Sequence, residues 1–110
     1  MNSMKNKVQL IGHVGQEPEV KTFREGKKVA NMTIATNDYY TNDKGEKVEQ
    51  TEWHRIVAWG KVAELIEKYV TKGKEIAIEG KLTHRSYDDK DGNKRYVTEV
   101  VANDILLLGK

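Results

Sequence analysis

The chain has 110 residues, 37% of them apolar and 33% charged, which suits one soluble domain with a small core. No stretch approaches the length of a membrane-spanning helix, and Met1 to Lys7 lacks the apolar run of a signal peptide. The absence of cysteine excludes a disulfide framework, a thiolate metal site and a cysteine nucleophile, so a cytoplasmic setting is the default. The net charge of +2 is too small to argue for a polyanionic partner, and any such case rests on where the charges lie.

Val8 to Val14 is a β-rich run, bent at Gly12 and ended by Gly15 and Pro18, and it reads as the first strand. Glu19 to Phe23 alternates and is closed by Glu25-Gly26-Lys27. Val29 to Asn37 then forms a long second strand with Ala30, Met32 and Ile34 on one face. Residues 38–50 are almost wholly polar, with Asn42-Asp43-Lys44-Gly45 as the turn, and predict a protruding hairpin loop. Its Tyr39 and Tyr40 call for packing at the base or for a ligand. Thr51 to Trp59 is the third strand, followed by a helix over Lys61 to Val70 whose apolar stripe is 62, 65, 66, 69 and 70 and which Gly73 stops. Lys74 to Tyr87 is the fourth strand, with Ile76, Ile78, Gly80 and Leu82 inward. Asp88 to Lys94 is a second polar hairpin tip, and Arg95 to Leu108 is the fifth strand.

No repeat, low-complexity tract or linker divides the chain, so residues 1–110 read as one domain. Five strands with one helix between the third and fourth is the order of the all-β OB-fold, a Greek-key barrel that binds oligonucleotides and oligosaccharides. The architecture alone does not fix a ligand.

The third strand carries the chemistry. With period two, Trp53, Arg55, Val57 and Trp59 share one face, and His54, Ile56 and Ala58 share the other. A chain this short and polar cannot bury both faces, and two large aromatics flanking a guanidinium suit the stacking of unpaired bases along a charged backbone. Taken alone, the strand leaves core or interface tryptophans equally open. The fourth strand repeats the pattern with Lys81, Thr83, Arg85 and Tyr87 on one parity. Lys7, Lys61, Lys72 and Lys74 add phosphate contacts if they line the same groove, although any single one is by default a solvated surface lysine.

Competing chemistries lack support. A calcium loop over 87–98 would need Tyr87 and Thr98 as its first and twelfth ligands. His13, His54 and His84 show no metal-ligand spacing, and no carboxylate is paired with a nucleophile. Neither a cofactor, a metal nor an enzymatic activity is expected.

The segments Asn6 to Gly12, Gly15 to Val20, Thr51 to Arg55, Trp59 to Lys61, Ile78 to Leu82 and Thr98 to Val101, in this order along essentially the whole chain, resemble the bacterial single-stranded DNA-binding protein family. The resemblance implies a homotetramer of OB-folds that wraps single-stranded DNA with little sequence preference during replication, recombination and repair, in a cytoplasmic, nucleoid-associated location. It also implies stacking aromatics at Tyr40, Trp53, Trp59 and Tyr87, two of them tyrosines where tryptophan is common in the family. Family members typically continue into a flexible segment with an acidic tip. This chain ends at Gly109-Lys110 directly after the last strand, so tail-mediated partner proteins are not expected from it. The alternatives are a replication-restart accessory or RNA-binding OB-fold and, from another class, a protein-interaction domain whose aromatics a partner covers.

Overall fold

In the computed structural model, which describes residues 4–109, a 3-10 turn at Met4–Asn6 leads into strand β1 (Val8–Val14). There follow β2 (Glu19–Thr22), a second 3-10 turn (Arg24–Gly26), β3 (Lys28–Thr41), β4 (Lys47–Trp59), helix α1 (Gly60–Tyr69), β5 (Glu75–Asp88) and β6 (Lys94–Leu107). The sheet order is β1-β5-β6-β4-β3-β2. β1 pairs antiparallel with β5 from Val8 to His13 and also meets β3 at His13 and Val14, which closes the five long strands into a barrel. β4 and β6 run parallel where Ile56 and Val57 face Val100 and Val101. Parallel neighbours need a crossover connection, and α1 with β5 supplies it.

The apolar parity of each strand points into the barrel. Ala30, Met32 and Ile34 of β3 are buried as their alternation predicts, against Ile56 and Ala58 of β4 and Ile76 and Ile78 of β5. Each fully buried isoleucine contributes about 1.5 to 3 kcal/mol of apolar transfer free energy. Lys28 Nζ bonds Glu67 Oε1 and ties the start of β3 to the helix. No buried side-chain nitrogen or oxygen lacks a hydrogen-bond partner among the described residues.

Four expectations change. Glu19–Thr22 is a true sixth strand, short and paired to β3 from Val29's neighbour Lys28 to Asn31, because the turn at Arg24–Gly26 returns the chain in register. Residues 38–41 and 47–50 are not loop but strand, paired from Asp38 with Gln50 to Thr41 with Lys47. Their side chains are polar on both faces, so no hydrophobic period betrays them, yet the backbone ladder continues to the turn. On α1 the buried residues are Ala63 and Ile66, followed by Val70, while Leu65 and Tyr69 are exposed. The small Ala63 lets the helix approach the barrel closely and turns the other two outward. Leu82, expected inside, is only half-covered: the β5–β6 register shifts at Glu79/Gly80, and beyond it the hairpin leaves the barrel.

Candidate nucleic-acid interface

The outer face of β3 and β4 is set by their register. Val29 lies beside Trp59, Asn31 beside Val57, Thr33 beside Arg55 and Ala35 beside Trp53. Small or short polar residues on β3 therefore stand next to every large side chain on β4, and the aromatics lie over them without being covered. Trp53 is 62% exposed and Trp59 52%, while Ile56 and Ala58 on the other parity are buried. The parity expectation thus holds for Trp53, Arg55 and Trp59, whereas Val57, on the same parity, is buried at 8% exposure. His54, on the inner parity, is half-buried with Nε2 2.9 Å from Thr36 Oγ1.

Each indole has a seat. A Cβ on Gly15 would lie 2.4 Å from Cζ3 of Trp53 and 2.8 Å from Thr33 Oγ1, so the ring occupies space that only glycine leaves open. The Gly15 N–H donates to the Thr33 carbonyl at 2.9 Å, which fixes this loop over the sheet. Trp59 rests on Phe23, with ring centroids 6.4 Å apart and planes inclined by 24°. Held rings lose little rotamer freedom when a ligand stacks on them.

Arg55 and Arg85 line one cleft of about 250 Å³, together with Gln16, Glu17, Glu19 and Glu99. Arg85 Nε donates to Glu99 Oε1 at 3.0 Å, and Glu99 is 9% exposed. A carboxylate held there orients the guanidinium from its Nε edge and leaves its terminal nitrogens for an anion. The lining is of mixed charge, three carboxylates beside two guanidinium groups, so it offers an anion two placed cations and not a broad positive field.

The remaining candidates spread outward from this centre. Lys81 is exposed opposite Val101, on the parity of Thr83 and Arg85. Lys72 and Lys74 lie on the α1–β5 connection, where the Lys72 N–H donates to Glu17 Oε2 at 3.2 Å and the Lys74 carbonyl accepts from Val14. Lys72 is exposed beside the cleft-lining Glu17, whereas Lys74 is half-buried. Lys61 is exposed on the first turn of α1, two residues beyond Trp59. Lys7 is drawn into an ion pair with Glu79 at 2.8 Å on the β1–β5 seam, which compensates its charge locally. Tyr87 is exposed near the tip of the β5–β6 hairpin, opposite Arg95. Tyr40 pairs with Val48 on the parity of His54, so it is Tyr39, beside Glu49, that shares the parity of Trp53. Tyr39 carries Lys47 Nζ 4.6 Å above its ring.

Phe23, Gly15 and Glu99 belong to this face, yet the sequence reading gave them no role. Phe23 gives only a weak signal in the sequence, as an aromatic closing an alternating run; Gly15 marks no more than a strand end there, and nothing in the sequence points to Glu99 as a partner of Arg85. No group of three or more His, Cys, Asp or Glu able to hold a metal occurs among the described residues.

The chain is 49% identical over 105 residues to single-stranded DNA-binding protein 1 of Chlorobaculum tepidum, covering 94% of this chain and 65% of that protein. It is 42% identical over 106 residues to single-stranded DNA-binding protein 1 of Xylella fastidiosa, covering 96% of this chain and 78% of that protein. Among solved structures, a Plasmodium falciparum SSB in complex with ssDNA superposes with a TM-score of 0.89 at 34% identity, covering 99% of this chain and all of that one. A deletion mutant of the single-stranded DNA-binding protein from Thermus aquaticus superposes with a TM-score of 0.81 at 31% identity, over 94% of this chain and 50% of that one. Residues 5–108 match the single-strand binding protein family, and the chain belongs to that family.

Proposed function

We propose that this chain binds single-stranded DNA with little sequence preference and shields it during replication, recombination and repair, acting as a binding protein and not as an enzyme. The observation that carries the reading is the pair of half-exposed tryptophans seated on one face of β4 with Arg55 between them. Unpaired bases stack on the indoles, at about 1 to 3 kcal/mol for each platform, and every base offers the π-face that this requires. Arg55 and Arg85 take phosphates in the cleft, with Lys61, Lys72 and Lys81 along its approaches and Tyr40 and Tyr87 as stacking residues on the two hairpins. Lys74 and Lys7 contribute less, the first half-buried and the second paired with Glu79. A homotetramer in a cytoplasmic, nucleoid-associated setting completes the proposal. Its support is family membership together with an exposed apolar strip on the β1–β5–β6 face.

Titrating oligo(dT) while following tryptophan fluorescence tests the proposal. Strong quenching is expected, with much weaker binding of duplex DNA, whose bases are already stacked on one another. Absence of quenching at low salt would leave a protein-interaction domain as the better reading. Parallel titration with oligo(U) separates a DNA-binding from an RNA-binding domain through the 2′-hydroxyl.

A further inference from the structure

Phe23 follows β2 directly and is fixed at its base by a tight turn. Its N–H donates to the Lys27 carbonyl at 2.7 Å, and its own carbonyl accepts from Gly26 at 3.2 Å. Between them Glu25 takes a left-handed conformation at φ 68°, unusual for a non-glycine residue, so the turn is a defined local structure. The ring it presents lies against Trp59 yet remains 50% exposed. Half of its surface therefore stays open for a further ring to stack on, beside the exposed surface of Trp59. Arg24 and Lys27, in the same turn, are exposed cations, whereas Lys28 is engaged by Glu67.

We propose that Phe23 is itself a base-stacking residue. With Trp59 it makes a two-ring platform that extends the path of the nucleic acid past the end of β4 and over the β2–β3 turn, where Arg24 and Lys27 meet the phosphates. The inference rests on the reading of the β4 face as a site for unpaired DNA and adds a contact that the sequence did not suggest. Aromatic surface beside positive charge is the arrangement that holds unpaired strands without reading their sequence.

The test compares wild type, Phe23→Ala, Phe23→Leu and Phe23→Trp in the full chain, by fluorescence anisotropy of labelled oligo(dT) and by thermal unfolding. Because the ring is half-exposed, all three variants are expected to fold with transitions close to that of the wild type. Phe23→Ala and Phe23→Leu should each bind about five- to tenfold more weakly, the low end of what a lost stacking ring costs, and Phe23→Trp should bind at least as well as wild type. If Phe23→Leu binds as wild type while Phe23→Ala does not, the side chain merely props Trp59 and the stacking assignment is overturned. Equal binding by wild type and Phe23→Ala overturns it as well. Failure of the wild type to bind oligo(dT) removes the functional reading along with it, so the two failures are distinguishable.

Discussion

The Trp53 indole and the chain beneath it are mutually fitted, since a methyl group on Gly15 would stand 2.4 Å from the ring. The obstructed atom belongs to a side chain at the surface, so Gly15→Ala should leave the barrel folded and push the indole off its seat. The expected result is a changed tryptophan emission spectrum with weakened oligo(dT) binding and a nearly unchanged unfolding transition. A variant that binds normally would show that the seat does not matter. Trp53→Ala and Trp59→Ala remove the platforms outright and should each cost binding about 1 to 3 kcal/mol. Their effect on stability should stay well below the ~3 to 5 kcal/mol of a buried aromatic truncation, because both rings are more than half-exposed. Tyr40→Ala and Tyr87→Ala should cost binding less, as phenol rings on projecting hairpins. His54→Ala is the control: it breaks the bond to Thr36 on the inner parity and should lower stability more than affinity. Trp53, Arg55 and Trp59 were legible because a two-residue period within one strand reports a shared face. Phe23 against Trp59, Gly15 under Trp53 and Glu99 on Arg85 were not, because each joins residues far apart in the chain that only the folded sheet and its loops bring together.

The two hairpins end in the same turn built from different residues. In the first, the Asn42 side chain accepts from the N–H groups of Lys44 and Glu46; in the second, Asp89 accepts from those of Asp91 and Asn93. Gly45 and Gly92 take the left-handed conformation at φ 79° and 83° that this three-residue loop requires. The turn chemistry was readable in the sequence, and so was the barrel, whose strands alternate apolar and polar. The length of the first arm was not, because strands polar on both faces carry no period to detect, and only the ladder beneath them reveals pairing. Asp89 differs from Asn42 in being ionisable. The Arg95 guanidinium first, and then the backbone N–H of Asn93, hold its carboxyl below the ordinary aspartate range. A lowered folded-state value means that the stabilisation is present above the unfolded value of about 3.9 and is lost as pH falls through the folded one. The protection factor of the Asn93 amide, its exchange taken against the intrinsic rate at each pH, should therefore fall on acidification, while that of Glu46 in the first hairpin should not. Asp89→Asn, which copies the first turn, should abolish that acid dependence while keeping the turn, and its persistence would exclude the carboxylate as the cause.

As a whole molecule the chain is more extended than a compact domain of its length. Its radius of gyration is 16.1 Å, against about 13 Å expected for a compact domain of this length, because the two hairpins project from the barrel. Projecting arms let a small barrel reach a long ligand, and on the proposed reading the contacts along them combine phosphate pairing with stacking. Affinity for poly(dT) should therefore fall steadily across a salt series, with a slope of about −0.7 per neutralised phosphate, without collapsing, because stacking releases no counterions. A salt-independent affinity would remove the phosphate contacts. The barrel also leaves apolar surface uncovered. Ile11 faces Ala77 across the β1–β5 pairing, and Ala77 faces Leu106 across β5–β6, so the three form a row. Ile11 is 56% exposed and Leu106 62%, whereas Val8, Leu10 and Ile105 pack on the core. Among the described residues, β1 from Val8 to Gly12 pairs only with β5, which leaves its opposite backbone edge open next to this strip. An open strand edge beside an apolar strip is a ready surface for a second copy of the chain. Light scattering at micromolar concentration should accordingly report a homotetramer, and Ile11→Glu or Leu106→Glu should shift it to smaller species, because a carboxylate on the strip could be buried there only at a large desolvation penalty. The same variants leave Trp53, Trp59 and Arg55 untouched, so a short oligo(dT) confined to one protomer should still quench their fluorescence while a long one binds more weakly than to the wild type. A monodisperse wild-type monomer, or a Leu106→Glu variant that stays tetrameric, would place the subunit contact elsewhere.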